Sequence, residues 1–169
     1  MAEYRLGSRS SASTFEPVVV PLVAATTKTV LQVATPSTTD IRVLGWGVSF
    51  DGAAAAQPGW CQLIVVSYAA TVTAGVVENW GNMMSPASLC VSGTAASGYN
   101  ASAEGTPGTA DAELDAQHVY PQSGYAVWYP ATSAGNQSKI SVSRFLRIRC
   151  KFPGAVNVLP WIVWSEPAV

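Results

Sequence analysis

Proton transfer near neutral pH most often falls to histidine, and the chain has a single one, His118. Ser123 and Cys90 are the nucleophiles that would have to meet it, yet no Gly-x-Ser-x-Gly frame surrounds either. His118 is therefore expected to be a loop or strand-edge residue. Asp111, Glu113 and Asp115, with Glu104 nearby, form an acidic cluster whose alternate spacing matches the start of a calcium loop. The match stops there, because Ala116 stands where glycine is needed and Gln122 where a bidentate glutamate is needed. A solvated acidic loop is the default. Zinc finds neither a Cys-x-x-Cys nor a histidine pair. Gly45-Trp46-Gly47 runs on into Val48-Ser49-Phe50 and so lacks a phosphate-loop or dinucleotide fingerprint. The sequons at Asn100 and Asn136 count only in a secreted eukaryotic protein. No catalytic residue, metal ligand or cofactor is expected, and an enzyme is the last choice.

Two other groupings point to binding. Arg144, Arg147, Arg149 and Lys151 fall within eight positions. They form either a solvated sheet face or a basic strip that meets carboxylates, on the Glu104 to Asp115 loop of a neighbouring copy or on a larger partner. Six tryptophans (Trp46, Trp60, Trp80, Trp128, Trp161 and Trp164) join Tyr99, Tyr120, Tyr125 and Tyr129. Rings of this kind bury large areas and supply interface hot spots. A sugar-binding surface, which also uses exposed Trp and Tyr, is the rival.

The bulk composition favours a protein that is walled in by others. Charged residues make up 11% of the chain, less than half of the roughly 25% usual in soluble domains. Desolvating a neutral polar surface costs much less than desolvating unpaired charge. With a net charge of −1 there is no positive field to draw in phosphate backbones, so nucleic acid is not an expected partner. The start, Met1 to Ser8, lacks a basic segment followed by an apolar one. No apolar run approaches the roughly 20 residues that cross a bilayer. The expectation is a protein made in a cytoplasm, with no membrane partner. Cys61, Cys90 and Cys150 lie far apart in apolar stretches and read as buried thiols.

The elements that must position these residues are strands. The length fits one domain. Residues 1–17, Ser-rich and without evident periodicity, read as an extended N-terminal arm, and Tyr4, Arg5, Leu6, Arg9 and Phe15 are its candidate partner contacts. From 18 to 169 the chain breaks into short Val-, Ile-, Trp- and Tyr-rich segments separated by turn residues. They are Val18 to Ala24, Thr29 to Ala34, Ile41 to Phe50, Trp60 to Tyr68, Ala87 to Val91, Tyr125 to Tyr129, Lys139 to Cys150 and Val156 to Trp164. Eight such segments indicate an all-β antiparallel sandwich or barrel. Ile140, Val142, Leu146, Ile148 and Cys150 alternate with Ser141, Ser143, Arg147 and Arg149, with a break expected near Arg144. Val156 to Trp164 is apolar on both faces, and Pro160 within it argues for an edge or a bulge. Arg147, Arg149 and Trp161 are added to the candidate contacts on these strands. Ala69 to Asn79 reads as strand or loop because β-branched residues and Gly75 oppose a helix. Residues 92–117 read as the longest loop.

The stretch Thr29-Val-Leu-Gln-Val-Ala-Thr-Pro-Ser-Thr-Thr-Asp-Ile-Arg-Val-Leu-Gly-Trp-Gly-Val-Ser-Phe-Asp-Gly52 resembles the opening of a family of small β proteins encoded among the virion genes of tailed phages. His118-Val-Tyr-Pro-Gln-Ser-Gly-Tyr125, Lys139 to Lys151 and Ala155-Val-Asn-Val-Leu-Pro-Trp-Ile-Val-Trp-Ser-Glu166 resemble its closing strands. Members look like head decoration, or cement, proteins. The resemblance covers roughly residues 28–166 and implies a jelly-roll-like sandwich, a homotrimer, the major capsid protein as partner and a place on the outer capsid surface. The long 92–117 loop and the Ser-rich start depart from the family pattern. The rival functions are a carbohydrate- or host-surface-binding module and a tail or neck component.

Overall fold

The computed structural model describes residues 1–9, 16–51, 57–81, 84–105, 111–129 and 139–167. Within them the alternation of apolar and polar residues yields thirteen strands: β1 (Ala2–Gly7), β2 (Val20–Leu22), β3 (Lys28–Ala34), β4 (Ile41–Asp51), β5 (Gly59–Val66), β6 (Thr71–Ala74), β7 (Val76–Asn79), β8 (Gly98–Ala103), β9 (Ala112–Val119), β10 (Tyr125–Trp128), β11 (Lys139–Ile140), β12 (Phe145–Lys151) and β13 (Val156–Glu166). No helix occurs among the described residues. The first sheet runs β10-β4-β13-β1-β7, with β11 added to β4 and β2 to β13. The second runs β6-β8-β3-β12-β5-β9. All pairings between these strands are antiparallel. The chain is an all-β sandwich.

The core lies between the two sheets. Val43, Trp46, Val48, Ile162 and Trp164 from the first sheet share one buried cluster with Leu31, Val33, Leu63, Leu146 and Ile148 from the second. Phe50 meets Phe152 edge to face, with centroids 5.1 Å apart, the geometry the ring quadrupole favours. All three cysteines are buried, and Cys61 and Cys150 stand opposite one another on β5 and β12.

Residues 2–7 are not an arm. They pair with β13 on one side and β7 on the other, and Tyr4 and Leu6 are buried in the core. Ala2, Tyr4 and Leu6 do alternate with Glu3, Arg5 and Gly7, but only two large apolar residues carry that period, too few to stand out beside the Ser-rich stretch that follows. Residues 92–117 are likewise not one loop. They contain β8 and most of β9. β9 is an edge strand whose outward positions are exposed, so its apolar signal is weak. Ala87 to Val91, by contrast, is not a strand.

Other expectations change in detail. Lys139 to Cys150 divides at residues 141–144, where Ser143 has φ 54°: β11 joins the first sheet and β12 the second. This is the break expected near Arg144. Ala69 to Asn79 divides at Gly75 in the same way, β6 going to the second sheet and β7 to the first. Pro160 lies in an interior strand rather than at an edge. β2 pairs with β13 only up to Val158 and β1 only from Trp161, and Ser8 N–H donates to the Pro160 carbonyl across the gap between them (3.4 Å). The N and O of one strand residue face the same side, so the missing N–H of Pro160 faces this gap and no ladder bond to β4 is lost.

Candidate functional site

Outward-facing positions of the first sheet bring three of the sequence candidates together. On β1 the inward Tyr4 and Leu6 leave Arg5 outward, and on β13 the inward Ile162 leaves Trp161 outward. Trp161 is in register with Gly47 of β4, and Trp128 of β10 with Gly45. Neither glycine has a side chain to hold an indole off the sheet, so both rings lie against backbone. A Cβ on Gly45 would stand 2.7 Å from Cε3 of Trp128. The two rings form a shelf, centroids 5.0 Å apart and tilted by 33°. Trp128 is 55% exposed, an unusual outlay of apolar area on a surface without a partner.

Beside this shelf runs a shallow groove lined by Arg5, Arg9, Ser49, Leu159 and Trp161. Arg9 forms an ion pair with Glu78 at 2.7 Å. The guanidinium carbon of Arg5 lies 4.9 Å from the ring centroid of Trp80, a cation–π contact, and Trp80 is 37% exposed. The Nε of Arg5 is buried and has no hydrogen-bond partner among the described residues. Burial pushes the Arg5 pKa below its ordinary value; the charge of Arg9 adds to this and Glu78 opposes it.

The other candidates go elsewhere. Tyr4 and Leu6 point into the core and cannot touch a partner. Phe15 lies outside the described residues. Arg147 is 2% exposed and is no surface contact. Its Nε donates to Gln32 Oε1 (2.9 Å), its Nη1 to the Glu104 carbonyl (3.1 Å) and its Nη2 to the Tyr68 carbonyl, while its guanidinium lies over the Tyr68 ring. Arg149 is half-buried, 3.9 Å from Glu104, and Arg144 pairs with Asp111 at 3.1 Å. The basic strip and the acidic residues expected to join two molecules therefore join two parts of one.

The remaining acidic and nucleophilic candidates are also engaged separately. Asp115 accepts from Trp46 Nε1 (3.2 Å), Tyr125 O–H (2.8 Å) and Gln117 Nε2 (2.9 Å). Glu104 accepts from the N–H and hydroxyl of Thr29. Ser123 donates to the Tyr120 carbonyl, and Cys90 is buried beside Glu166, so neither bonds to His118. Among the described residues no three His, Cys, Asp or Glu side chains converge as metal ligands.

No protein-family model, curated protein or solved structure matches this chain. Its function has to be read from the surface itself. Trp128 and Trp80, named in the sequence only among the aromatic residues at large, join the candidate contacts here. The signal for Trp128 was present in Gly45-Trp46-Gly47, whose two glycines flank an inward tryptophan and clear two places on the outer face.

Proposed function

We propose that this chain is a non-catalytic structural protein of a phage virion, a head decoration protein that docks on the outer surface of the shell through the outer face of its first sheet. The observation that carries this reading is the Trp128–Trp161 shelf, laid over Gly45 and Gly47, with Trp128 exposed and Trp161 half-buried beside it. Exposed indoles backed by a rigid sheet are what interface hot spots are made of. Support comes from the charge layout too. Arg9, Lys139, Arg144, Arg147 and Arg149 have acidic partners within the chain, so that much of the basic charge is already balanced before any partner docks. The partner under this reading is the major capsid protein. The family resemblance adds a jelly-roll-like strand connection and a homotrimer, in which several weak contacts per oligomer would raise the effective affinity by orders of magnitude.

Co-sedimentation with phage heads stripped of the protein tests the reading. The Trp128→Ser, Trp161→Ser double variant should keep its far-UV circular dichroism and lose at least about tenfold in occupancy, the loss of one or two hot spots. Undiminished occupancy would remove the shelf from the interface. A second reading, a carbohydrate-binding module, is favoured by the same flat rings, because the electron-rich face of an indole suits the C–H-lined face of a pyranose. A glycan array separates the two.

A further inference from the structure

We infer that the element seated on this face is an acidic one: an extended segment of the shell protein whose Asp or Glu carboxylate sits in the groove against Arg5, with its apolar neighbours on Trp161 and Trp128. This rests on the docking reading above and adds the chemistry of the partner.

Charge complementarity carries it. Arg5 makes no hydrogen bond or ion pair with the described residues; its one close partner there is the π face of Trp80. A half-buried guanidinium with an unsatisfied Nε is costly, and a second guanidinium, that of Arg9, raises the cost. Glu78, the carboxylate at hand, is 2.7 Å from Arg9. Arg5 and Arg9 are the charged side chains that line the groove, and of the two it is Arg9 that holds the ion pair with Glu78. A carboxylate accepting from the outer, Nη, end of the Arg5 guanidinium fork balances its charge. The Trp161 indole on the other wall lowers the local dielectric around that bond, which strengthens it, while the open, shallow groove admits an extended segment.

The test has two arms. In the first, binding to stripped heads is measured over a salt series. The wild-type binding constant should fall by about tenfold between about 50 and about 500 mM NaCl, as screening predicts for an exposed charge contact. Arg5→Gln should bind at least about tenfold more weakly at low salt, with a shallower salt dependence, and Lys151→Gln, on the second sheet, should match the wild type. In the second arm, hexaglutamate is titrated against the free protein while the indole N–H signals of Trp128 and Trp161 are followed by NMR; they should shift in the wild type and stay in place in Arg5→Gln. If heads bind but Arg5→Gln keeps both the affinity and the salt slope of the wild type, the inference is overturned and docking stands. If the wild type ignores heads yet hexaglutamate shifts both indoles through Arg5, docking fails and the acidic specificity stands. If an oligoglucuronate of equal charge binds more than about tenfold tighter than the peptide, the partner is a glycan and the inference is overturned.

Discussion

Gly47 lies directly under Trp161: a Cβ built on it would stand 2.7 Å from both Cε2 and Nε1 of the indole, and 2.7 Å from the carbonyl oxygen of Tyr125. The ring end could swing aside, but the carbonyl belongs to the paired strand β10 and cannot do so cheaply. Gly47→Ala is therefore expected to destabilise the fold by about 1–3 kcal/mol, the usual cost of overpacking, and to lift Trp161 off the sheet. Thermal melting and a red shift of tryptophan emission would show it. A melting point and emission like those of the wild type would mean that the ring is not held where the geometry places it.

Removing the Arg147 side chain should do more harm than removing that of Arg149, although both lie on the same face of β12. Arg147→Met leaves Gln32 and the Tyr68 and Glu104 carbonyls short of a donor in a buried setting, at about 3 kcal/mol or more. Arg147→Lys should recover only part, because an ammonium cannot reproduce the three-pronged guanidinium geometry. Arg149→Gln, half-exposed and 3.9 Å from its carboxylate, should cost less than about 1 kcal/mol. Urea unfolding of the three variants gives the ranking, and equal midpoints for Arg147→Met and Arg149→Gln would contradict it.

The contrast between these two arginines also marks how far sequence could go. Alternation placed Leu146, Ile148 and Cys150 on the core side of β12 and both arginines on the other, and the structure agrees. What alternation cannot carry is that the second face is itself covered near Arg147, by chain arriving from Tyr68, Ala70 and Glu104. Side chains that bond to backbone from distant segments leave no local period. β1 was missed for a related reason: a strand with two large apolar residues is specified by the neighbours it joins, β13 and β7, more than by its own pattern. Apolar strands such as β4 and β13 needed no such help. Of the eight candidate contacts, Arg5, Arg9 and Trp161 come together through pairings that span the whole chain.

Glu166 should prove the pin that holds residues 86–90 across the end of the sandwich. Its carboxylate accepts from Ser88 O–H, Leu89 N–H (2.9 Å) and Trp164 Nε1 (2.9 Å), and Tyr4 donates to the Pro86 carbonyl (2.9 Å). Glu166→Ala strands three donors at once, each worth about 1–3 kcal/mol if left unpaired, so the local answer is for the segment to open. Cys90 should then react with a thiol reagent at least about tenfold faster than in the wild type, as local opening controls access. Cys61 and Cys150, held in the sheets, should stay unreactive. Labelling of all three at one rate would point to global unfolding, and no labelling to a segment held by other means.

Alkaline pH should unfold the protein earlier than its neutral stability suggests. Burial raises the pKa of the Cys90 thiol, and the charge of Glu166 adds to it; burial also raises that of Cys150, helped by its contact with Cys61. The hydroxyls of Tyr4, Tyr125 and Tyr129 are raised by burial too, Tyr125 further by its bond to Asp115. A group whose proton is held more tightly when folded stabilises fully below its unfolded pKa, and that contribution is lost as pH rises towards the folded value. The window therefore opens near pH 9, the ordinary thiol value, with a slope of about 1.4 kcal/mol per pH unit for each buried thiol. Lys28, lowered by burial, works in the opposite direction near its ordinary 10.5 and offsets part of the fall. Urea midpoints should be level from about pH 7 to about pH 8.5 and then drop, and Cys90→Ala should shed one thiol's share of the slope. A midpoint that stays level to about pH 10.5 would show that these protons are not held by the fold.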